Sequence, residues 1–278
     1  MIQYHWGTPL ILYQKEEIQL KILAIGDIVG KGGVSAICSN LSMLKKQYNA
    51  RFTVVNGENA DMVGILPEQA EALLMAGADV ITLGNHTWGR RQISSYIDKE
   101  PSLLRPHNIP GNAPGKGYGI FDAFGKRALV INLMGRCEMQ FGADNPFFAL
   151  DKILRECEGQ YDFAVCDFHA EATSEKQAFG FYADGRLSAV WGTHTHVQTA
   201  DEKILPQGTG FICDLGMTGP ANSVIGCAPE KSLATFLGSI PERFTEASGD
   251  IMINGACFDI ADNGKCISVE RINTVLKG

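Results

Sequence analysis

Short apolar runs and amphipathic segments alternate along the first part of the chain, from Leu20 onward. The apolar runs have the length and composition of buried strands, and each ends close to a glycine. The strands predicted in this way are residues 21–25, 52–55 and 80–83. Residues 35–48 carry apolar side chains three or four positions apart, and Pro67 begins a second predicted helix that runs to Ala76 and is stopped by Gly77. This strand–helix order predicts right-handed βαβ units with a largely parallel sheet.

The rest of the chain predicts a mixed arrangement rather than a purely parallel one. Phe124-Gly125 separates two apolar runs and Asn263-Gly264 separates the last two, so we expect a hairpin at each place. Helices are predicted over 147–157 and 174–182, and further strands over 163–166, 187–191 and 210–213. No repeat or long linker divides the chain. We therefore interpret residues 20–278 as one α/β domain and residues 1–19 as a leader whose order the sequence leaves open.

The composition is that of a globular protein and excludes several function classes. The 278 residues are 45% hydrophobic and 20% charged, which is too apolar for a disordered chain. The formal net charge of −7 argues against a general binder of nucleic acid or anionic membranes, because both need a positive field. Apolar stretches are shorter than the roughly 18 residues of a membrane helix, so we expect no membrane partner. None of the 8 cysteines forms a CxxC pair, which favours reduced thiols in a cytoplasmic protein.

Carboxylate, amide and imidazole side chains follow directly after the predicted strands. They are Asp27, Glu58, Asn59, Asn85, His86, His169, His194 and His196. Each alone has an ordinary structural explanation, such as a helix N-cap for Asp27 or turn residues for Glu58 and Asn59. Five strands with such residues at the same end are better explained by one shared crevice, because ligands bind at the carboxyl ends of strands in open α/β sheets.

The kinds of side chain at these strand ends favour a pair of metal ions. His194 and His196 occupy positions i and i+2 of a segment interpreted as extended, so both imidazoles can face one site. With His86 set aside, seven nitrogen and oxygen ligands remain, which is too many for one four-coordinate ion and suitable for two. This donor set suits iron, manganese, zinc or cobalt and does not choose among them. Glu58 and Asn59 are adjacent, so both can ligate only where the chain turns.

The charge of such a centre indicates the class of substrate. Two divalent ions with Asp27, Glu58 and a bridging hydroxide leave a positive centre in an acidic protein. That centre attracts an anion, and two ions suit in-line displacement at phosphorus, one at the attacking oxygen and one at the leaving oxygen. His86, next to Asn85, is then the acid that protonates the leaving alkoxide. The residues therefore predict a dinuclear phosphoesterase.

Four motifs carry a resemblance to calcineurin-like metallophosphoesterases: Gly26-Asp27, Gly57-Glu58-Asn59, Gly84-Asn85-His86 and Gly192-Thr193-His194-Thr195-His196. Over nearly all of residues 20–273 the chain resembles more closely the YmdB-type branch of bacterial phosphodiesterases, in phrases such as GDIVGKGG, DFHAEATSEK and DLGMTGP. As in that branch, the usual Asp-x-His of the first motif is absent, because Asp27-Ile28-Val29 stands there. Glu58 replaces the bridging aspartate.

The resemblance implies a fold, a reaction and a set of ligands. The expected fold is a mixed β-sandwich flanked by helices in four α/β/β/α layers, and the expected reaction is hydrolysis of phosphodiesters, 2′,3′-cyclic nucleotides among them. One metal ion would be held by Asp27, Glu58, Asn59 and His196, and the other by Glu58, Asn85, His169 and His194, with His86 as proton donor. The resemblance favours iron over manganese and zinc, and it implies a homo-oligomer.

Two other functions stay open at this stage. A phosphomonoesterase of the same fold would differ only in its leaving group and pocket shape. A regulatory protein could hold a nucleotide or an RNA end in the same crevice without turnover. Arg136 and the loop 134–145 are further candidates for substrate contact, the arginine as a bidentate hydrogen-bond donor to the substrate phosphate and the loop as a lid. A solvated loop arginine explains Arg136 equally well.

Overall fold

Two β-sheets lie face to face, with helices on both outer sides, in the computed structural model, which describes residues 20–109, 111–139, 142–240 and 243–277. The strands are β1 (Leu20–Ile25), β2 (Asp27–Ile28), β3 (Ala50–Asn56), β4 (Val80–Thr82), β5 (Leu103–Leu104), β6 (Tyr118–Ala123), β7 (Lys126–Met134), β8 (Phe163–His169), β9 (Ala189–Thr193), β10 (Lys203–Ile204), β11 (Gly210–Ile212), β12 (Met217–Pro220), β13 (Ile251–Ile260) and β14 (Cys266–Leu276). The helices are α1 (Gly30–Tyr48), α2 (Pro67–Met75), α3 (Ile93–Tyr96), α4 (Pro146–Glu156), α5 (Thr173–Ala183) and α6 (Pro229–Phe236). The leader predicted for residues 1–19 lies outside the described residues, and the single domain over 20–278 stays a prediction.

The first sheet runs in the order β2-β12-β13-β1-β3-β4-β5, and β14 pairs with β13. β1, β3, β4 and β5 are parallel, as the βαβ pattern predicts, whereas β13 is antiparallel to both β1 and β14. Ile25 pairs with Val55, and Val55 pairs with Ile81. This register brings the carboxyl ends of β1, β3 and β4 to one level.

The second sheet runs in the order β10-β11-β9-β8-β7-β6. β7, β8, β9 and β11 are parallel, and β6 and β7 form the predicted antiparallel hairpin. Met134 pairs with His169, and His169 pairs with Thr193. The parallel strands of this sheet therefore also end level with one another.

Three apolar layers hold the two sheets and the helices together. Along β1, Leu23 and Ile25 face α1 and α2, while Ile22 and Ala24 face the second sheet, as the two-residue period of a strand requires. The third layer lies between the second sheet and helices α4 and α5, where Phe179 belongs to the buried cluster. The order helix, sheet, sheet, helix confirms the predicted four-layer α/β/β/α fold.

Helix α1 begins at Gly30, five residues before the predicted start. The glycines near its start do not form a loop; they allow the helix to pack closely against its neighbours. A Cβ at Gly33 would lie 2.4 Å from the carbonyl oxygen of Thr218, so a glycine is needed where α1 passes β12. The main-chain N–H groups of Lys31 and Gly32 donate to the Glu246 carboxylate at 3.0 and 2.7 Å, which satisfies the first turn. The predicted helix start was therefore wrong. The short elements β2, β5, β10, β12, α3 and α6 were not predicted.

Within the described residues, the structure contains neither a disulfide nor a helix able to cross a membrane. All eight cysteines lie within the described ranges, and they form no disulfide there. Burial raises the pKa of the Cys166 thiol well above its usual value, which disfavours a reactive thiolate. Within residues 20–277, apart from the gaps, no helix is both long and apolar enough to cross a bilayer.

Candidate active site

All eight side chains predicted for the site lie at one end of the two sheets. The first sheet supplies Asp27 after β1, Glu58 and Asn59 after β3, and Asn85 and His86 after β4; the second supplies His169 at the end of β8 and His194 and His196 after β9. The level strand ends of each sheet place these residues side by side. The structure therefore brings the eight predicted residues to one edge, which belongs to both sheets.

In one cluster of four side chains, the other three surround the Nε2 atom of His169. This atom lies 2.9 Å from Oδ1 of Asn85, 3.1 Å from Oε1 of Glu58 and 3.1 Å from Nδ1 of His194. Ligand atoms of Glu58, His169 and His194 all lie within 4.8 Å of one another. Nitrogen and oxygen donors that converge in this way can share one ion.

A second cluster adjoins the first through Glu58. Nε2 of His196 lies 3.1 Å from Nδ2 of Asn59 and 3.8 Å from Oδ1 of Asp27. The Asn59 amide donates to Oε1 of Glu58 at 3.0 Å, so Glu58 contacts members of both clusters. The chain turns after β3, where the Ala60 N–H donates to the Gly57 carbonyl at 3.1 Å, and this turn lets Glu58 and Asn59 face the site together.

Each of the three clustered imidazoles turns its outer ring nitrogen toward an acceptor. The contacts are His169 Nδ1 to Thr193 Oγ1 at 2.9 Å, His194 Nε2 to Glu171 Oε2 at 3.2 Å, and His196 Nδ1 to the Ile225 carbonyl at 3.1 Å. A ring nitrogen that donates outward leaves the inner nitrogen with its lone pair, which is the form that ligates a metal. All three rings are therefore oriented as metal ligands would be.

The two carboxylates of the site are buried, and their charges call for a partner. Asp27 is fully buried, and its Oδ1 atom has no hydrogen-bond partner among the described residues. Burial raises the pKa of Asp27 to about 6. Burial also opposes the charge of Glu58, but His169 and His86 outweigh it and lower the pKa of Glu58 to about 2. A cation satisfies an unpartnered buried carboxylate oxygen beside imidazoles, so the residues fit a metal centre.

The rings of His169 and His194 meet edge to face with centroids 4.8 Å apart, and their pKa values move in opposite directions. Burial disfavours the charged form of His169, but Glu58 outweighs this and raises the pKa of His169 to about 9. Burial and the charge of His169 lower the pKa of His194 to about 3. Two rings this close do not both carry a proton on the inner nitrogen, so His194 is the neutral ring, and a bound ion would take the place of the proton on the inner nitrogen of His169.

The segment that carries His194 and His196 is not extended, and that prediction was wrong. Both residues have left-handed backbone conformations, with φ of 100° and 66°. Thr195, between them, donates its hydroxyl to Asp214 at 2.8 Å, and Lys176 donates to the same oxygen at 2.6 Å. The chain winds around this buried carboxylate, and the turn rather than strand alternation aims both imidazoles at the site. Strained backbone of this kind collects at functional sites.

Gly84 keeps the first cluster open. A Cβ there would lie 2.3 Å from Oε2 of Glu58 and 2.3 Å from Nε2 of His169. Any other residue would fill the space where these donors converge. The glycine before Asn85 is therefore required by the site and not by a loop.

A cleft of about 470 Å³ opens beside the first cluster, lined by Asn85, His86, Glu138, Met139, Glu171 and His194. The main-chain N–H of His86 donates to Oε2 of Glu58 at 3.1 Å, which fixes the backbone that carries this imidazole. Glu138 and Met139 belong to the loop 134–145, so part of that loop borders the cleft. Arg136 lines a separate cleft of about 520 Å³, where its main-chain N–H donates to Glu175 at 3.0 Å. A contact between Arg136 and the substrate, and a role of the loop 134–145 as a lid, stay predictions.

The residues that support the clusters were missed in the sequence. They are Asp167, Glu171, Lys176, Thr193 and Asp214, and all but Glu171 are buried. One signal was available, because Asp167 interrupts the apolar run of β8, and a buried carboxylate needs partners.

Comparisons with known proteins identify the family of the chain. A family model described as YmdB-like protein matches residues 23–272. The chain is 45% identical over 255 residues to the 2′,3′-cyclic-nucleotide 2′-phosphodiesterase of Bacillus subtilis, a match that covers 91% of this chain and 96% of the relative. The crystal structure of a novel phosphatase from Mycoplasma pneumoniae has a TM-score of 0.87 at 35% identity and covers 94% of this chain and 95% of that one. A 5′-nucleotidase from Candida albicans shares only the fold, with a TM-score of 0.55 at 10% identity over 91% of this chain and 50% of that one.

Proposed function

The chain belongs to the family of YmdB-like proteins and is an enzyme of the phosphodiesterase class, and from this premise we propose that it hydrolyses 2′,3′-cyclic nucleotides at a dinuclear metal centre. The observation that carries the proposal is the convergence of three inward-facing ring nitrogens on two buried carboxylates, with Glu58 in contact with both clusters. The name of the Bacillus subtilis relative supports the choice of substrate.

The two clusters supply the two ligand sets. Asp27, Asn59 and His196 would hold one ion, Asn85, His169 and His194 would hold the other, and Glu58, which contacts both clusters, would serve both. Imidazole, carboxylate and amide donors suit iron, manganese or zinc, and the family resemblance favours iron. When bound, such a pair of ions supplies an activated water and offsets the charge that develops on phosphorus.

The side chains of the cleft then complete the reaction. The mono-anionic phosphodiester lies in the cleft against the first cluster, and His86 donates a proton to the leaving ribose oxygen. The hydrogen bond from the His86 main chain to Glu58 fixes the position of this acid relative to the Glu58 carboxylate. His86 thus acts on the leaving group without ligating either ion.

Metal removal tests the proposal directly. We expect protein reconstituted with iron, manganese or zinc to hydrolyse 2′,3′-cyclic AMP and bis-p-nitrophenyl phosphate, and we expect chelation to abolish turnover, because the bare Asp27 and Glu58 carboxylates repel a phosphate. Product release followed by chromatography, before and after metal is restored, checks both expectations. A preference for p-nitrophenyl phosphate over the diester would indicate a phosphomonoesterase instead. Nucleotide bound without product, with metals present, would indicate a regulatory binding protein.

A leaving-group comparison tests His86. We expect His86→Gln to lower kcat for 2′,3′-cyclic AMP by about 100-fold, because an alkoxide leaves poorly without a proton. The loss with bis-p-nitrophenyl phosphate is expected to be much smaller, since p-nitrophenolate leaves without protonation. His107→Gln, which alters a histidine outside the cleft, serves as the matched control. Equal losses with both substrates would remove His86 from the role of acid.

Two predicted partners, a predicted homo-oligomer and a predicted location belong to this proposal and stay predictions. The small phosphodiester is the first partner, and RNA ends of the same cyclic chemistry are the second. The chain is predicted to form a homo-oligomer, and the exposed apolar side chains of α6 and the segment after it offer a surface for one: Leu233, Phe236, Leu237 and Ile240. A cytoplasmic location is predicted from the reduced cysteines.

A further inference from the structure

A buried carboxylate that takes no part in either cluster lies directly beneath the site. Asp167, in β8 of the second sheet, is fully buried. Its Oδ2 atom accepts hydrogen bonds from Thr82 of β4 and, at 3.1 Å, from Asn56 of β3, both in the first sheet. Its Oδ1 atom accepts from the hydroxyl of Thr193 at 2.7 Å. Asp167 therefore joins the two sheets where the metal-facing strands end.

The directions of these hydrogen bonds follow from their surroundings. The main-chain N–H of Glu58 donates to Oδ1 of Asn56 at 3.1 Å, so the Asn56 amide nitrogen must point toward Asp167. The same amide nitrogen approaches Thr193 Oγ1 at 3.5 Å. Asp167 is thus surrounded by donors, and the proton of the Thr193 hydroxyl is directed to it.

A hydroxyl that donates its only proton to Asp167 can only accept from its other neighbours. Besides the Asn56 amide, the remaining neighbour is Nδ1 of His169, at 2.9 Å from Thr193 Oγ1. Nδ1 must therefore carry a hydrogen, and the neutral ring then has its lone pair on Nε2. Nε2 is the atom around which the first cluster converges.

We propose that Asp167 and Thr193 are positioning residues that fix the tautomer and orientation of His169, so that its Nε2 lone pair faces the metal. This inference rests on the proposed function, because it concerns the ion held by the first cluster. It extends the site to a relay that starts at the Glu58 main chain and runs through Asn56, Asp167 and Thr193 to His169.

An isosteric substitution of Asp167 is expected to reverse the direction of the hydrogen bonds that link it through Thr193 to His169. In Asp167→Asn the amide oxygen belongs on the side of Asn56 and Thr82, where two donors converge, so the amide nitrogen faces Thr193 and donates to it. The Thr193 hydroxyl must then donate to His169 Nδ1, which moves the ring proton to Nε2. We expect zinc affinity, measured by calorimetric titration, to fall about 10- to 100-fold, the usual effect of losing an outer partner of a ligating histidine.

Three further variants separate positioning from folding. Thr193→Val removes the acceptor of His169 and is expected to weaken zinc binding to the same degree, whereas Thr193→Ser restores it. Thr82→Val removes a hydroxyl from the same carboxylate without touching His169, and it is expected to keep the affinity of the parent protein. In zinc-loaded protein the His169 Nδ1–H gives a downfield proton resonance that Thr193→Val and Asp167→Asn lose and Thr82→Val keeps.

Two results would overturn the relay. Equal losses in Thr193→Val and Thr82→Val would mean that the network only supports folding, and unchanged zinc affinity in Asp167→Asn would mean that the carboxylate does not set the tautomer. A parent protein that binds no zinc, iron or manganese would overturn this inference together with the proposed function. Failure of the relay alone leaves metal binding and turnover of the parent protein intact.

Discussion

Glu58→Gln is expected to reduce hydrolysis of 2′,3′-cyclic AMP to the level of the metal-free protein while the fold is retained. Glu58 is 1% exposed, and Oε1 of this one carboxylate lies 3.1 Å from His169 Nε2 and 3.0 Å from Asn59 Nδ2, members of different clusters. Glutamine has the same shape but brings an N–H group and no charge. One of its two amide positions must then present a donor either to the Asn59 amide nitrogen or to the His86 N–H, and neither of these is an acceptor.

The loss of the bridging charge also leaves the ions with a single buried carboxylate, Asp27. Metal content by mass spectrometry and kcat/KM are measured on the same preparations, with circular dichroism as the check on folding. Glu158→Gln removes one negative charge at an exposed position near the end of α4 and serves as the matched control. Wild-type turnover and two bound ions in Glu58→Gln would refute the bridging role.

Much of the site could be predicted because each ligand candidate follows an apolar run. A strand is recognised by its composition, and the carboxyl ends of parallel strands meet, so the positions of Asp27, Glu58 and His169 followed from the order of elements alone. The register of Ile25, Val55 and Ile81 shows why this works, since parallel strands that end level bring the residues after them together.

The missed features depend on contacts between segments far apart in the chain. The backbone of His194 and His196 is set by Asp214, and nothing local in the sequence shows that these histidines adopt positive φ. Asp167 is 111 residues from Asn56, and only the packing of one sheet on the other brings them together. Helix α1 was predicted to start late because glycines that allow close packing against Thr218 look the same as loop glycines.

Lys176→Met is expected to lower the free energy of unfolding by about 3–5 kcal/mol, the usual effect of removing one partner of a buried ion pair. Lys176 and Asp214 are 2% and 1% exposed, and Nζ lies 2.6 Å from Oδ2. Methionine fills a similar volume, so the effect arises from the buried charge left on Asp214 rather than from a cavity. The hydrogen bonds from Thr195 and the Gly216 N–H remain, but neither carries a charge.

Urea unfolding of the metal-free protein, followed by circular dichroism, measures this change without a contribution from bound ions. Arg127→Met, which breaks an exposed ion pair with Asp162, is the matched control and is expected to shift the midpoint little. Adding Asp214→Asn to Lys176→Met removes the uncompensated charge, so the double variant is expected to be more stable than Lys176→Met alone. Because Asp214 also holds Thr195 between His194 and His196, Lys176→Met should weaken metal binding as well. A midpoint for Lys176→Met equal to that of the parent protein would mean that the buried pair does not hold this segment.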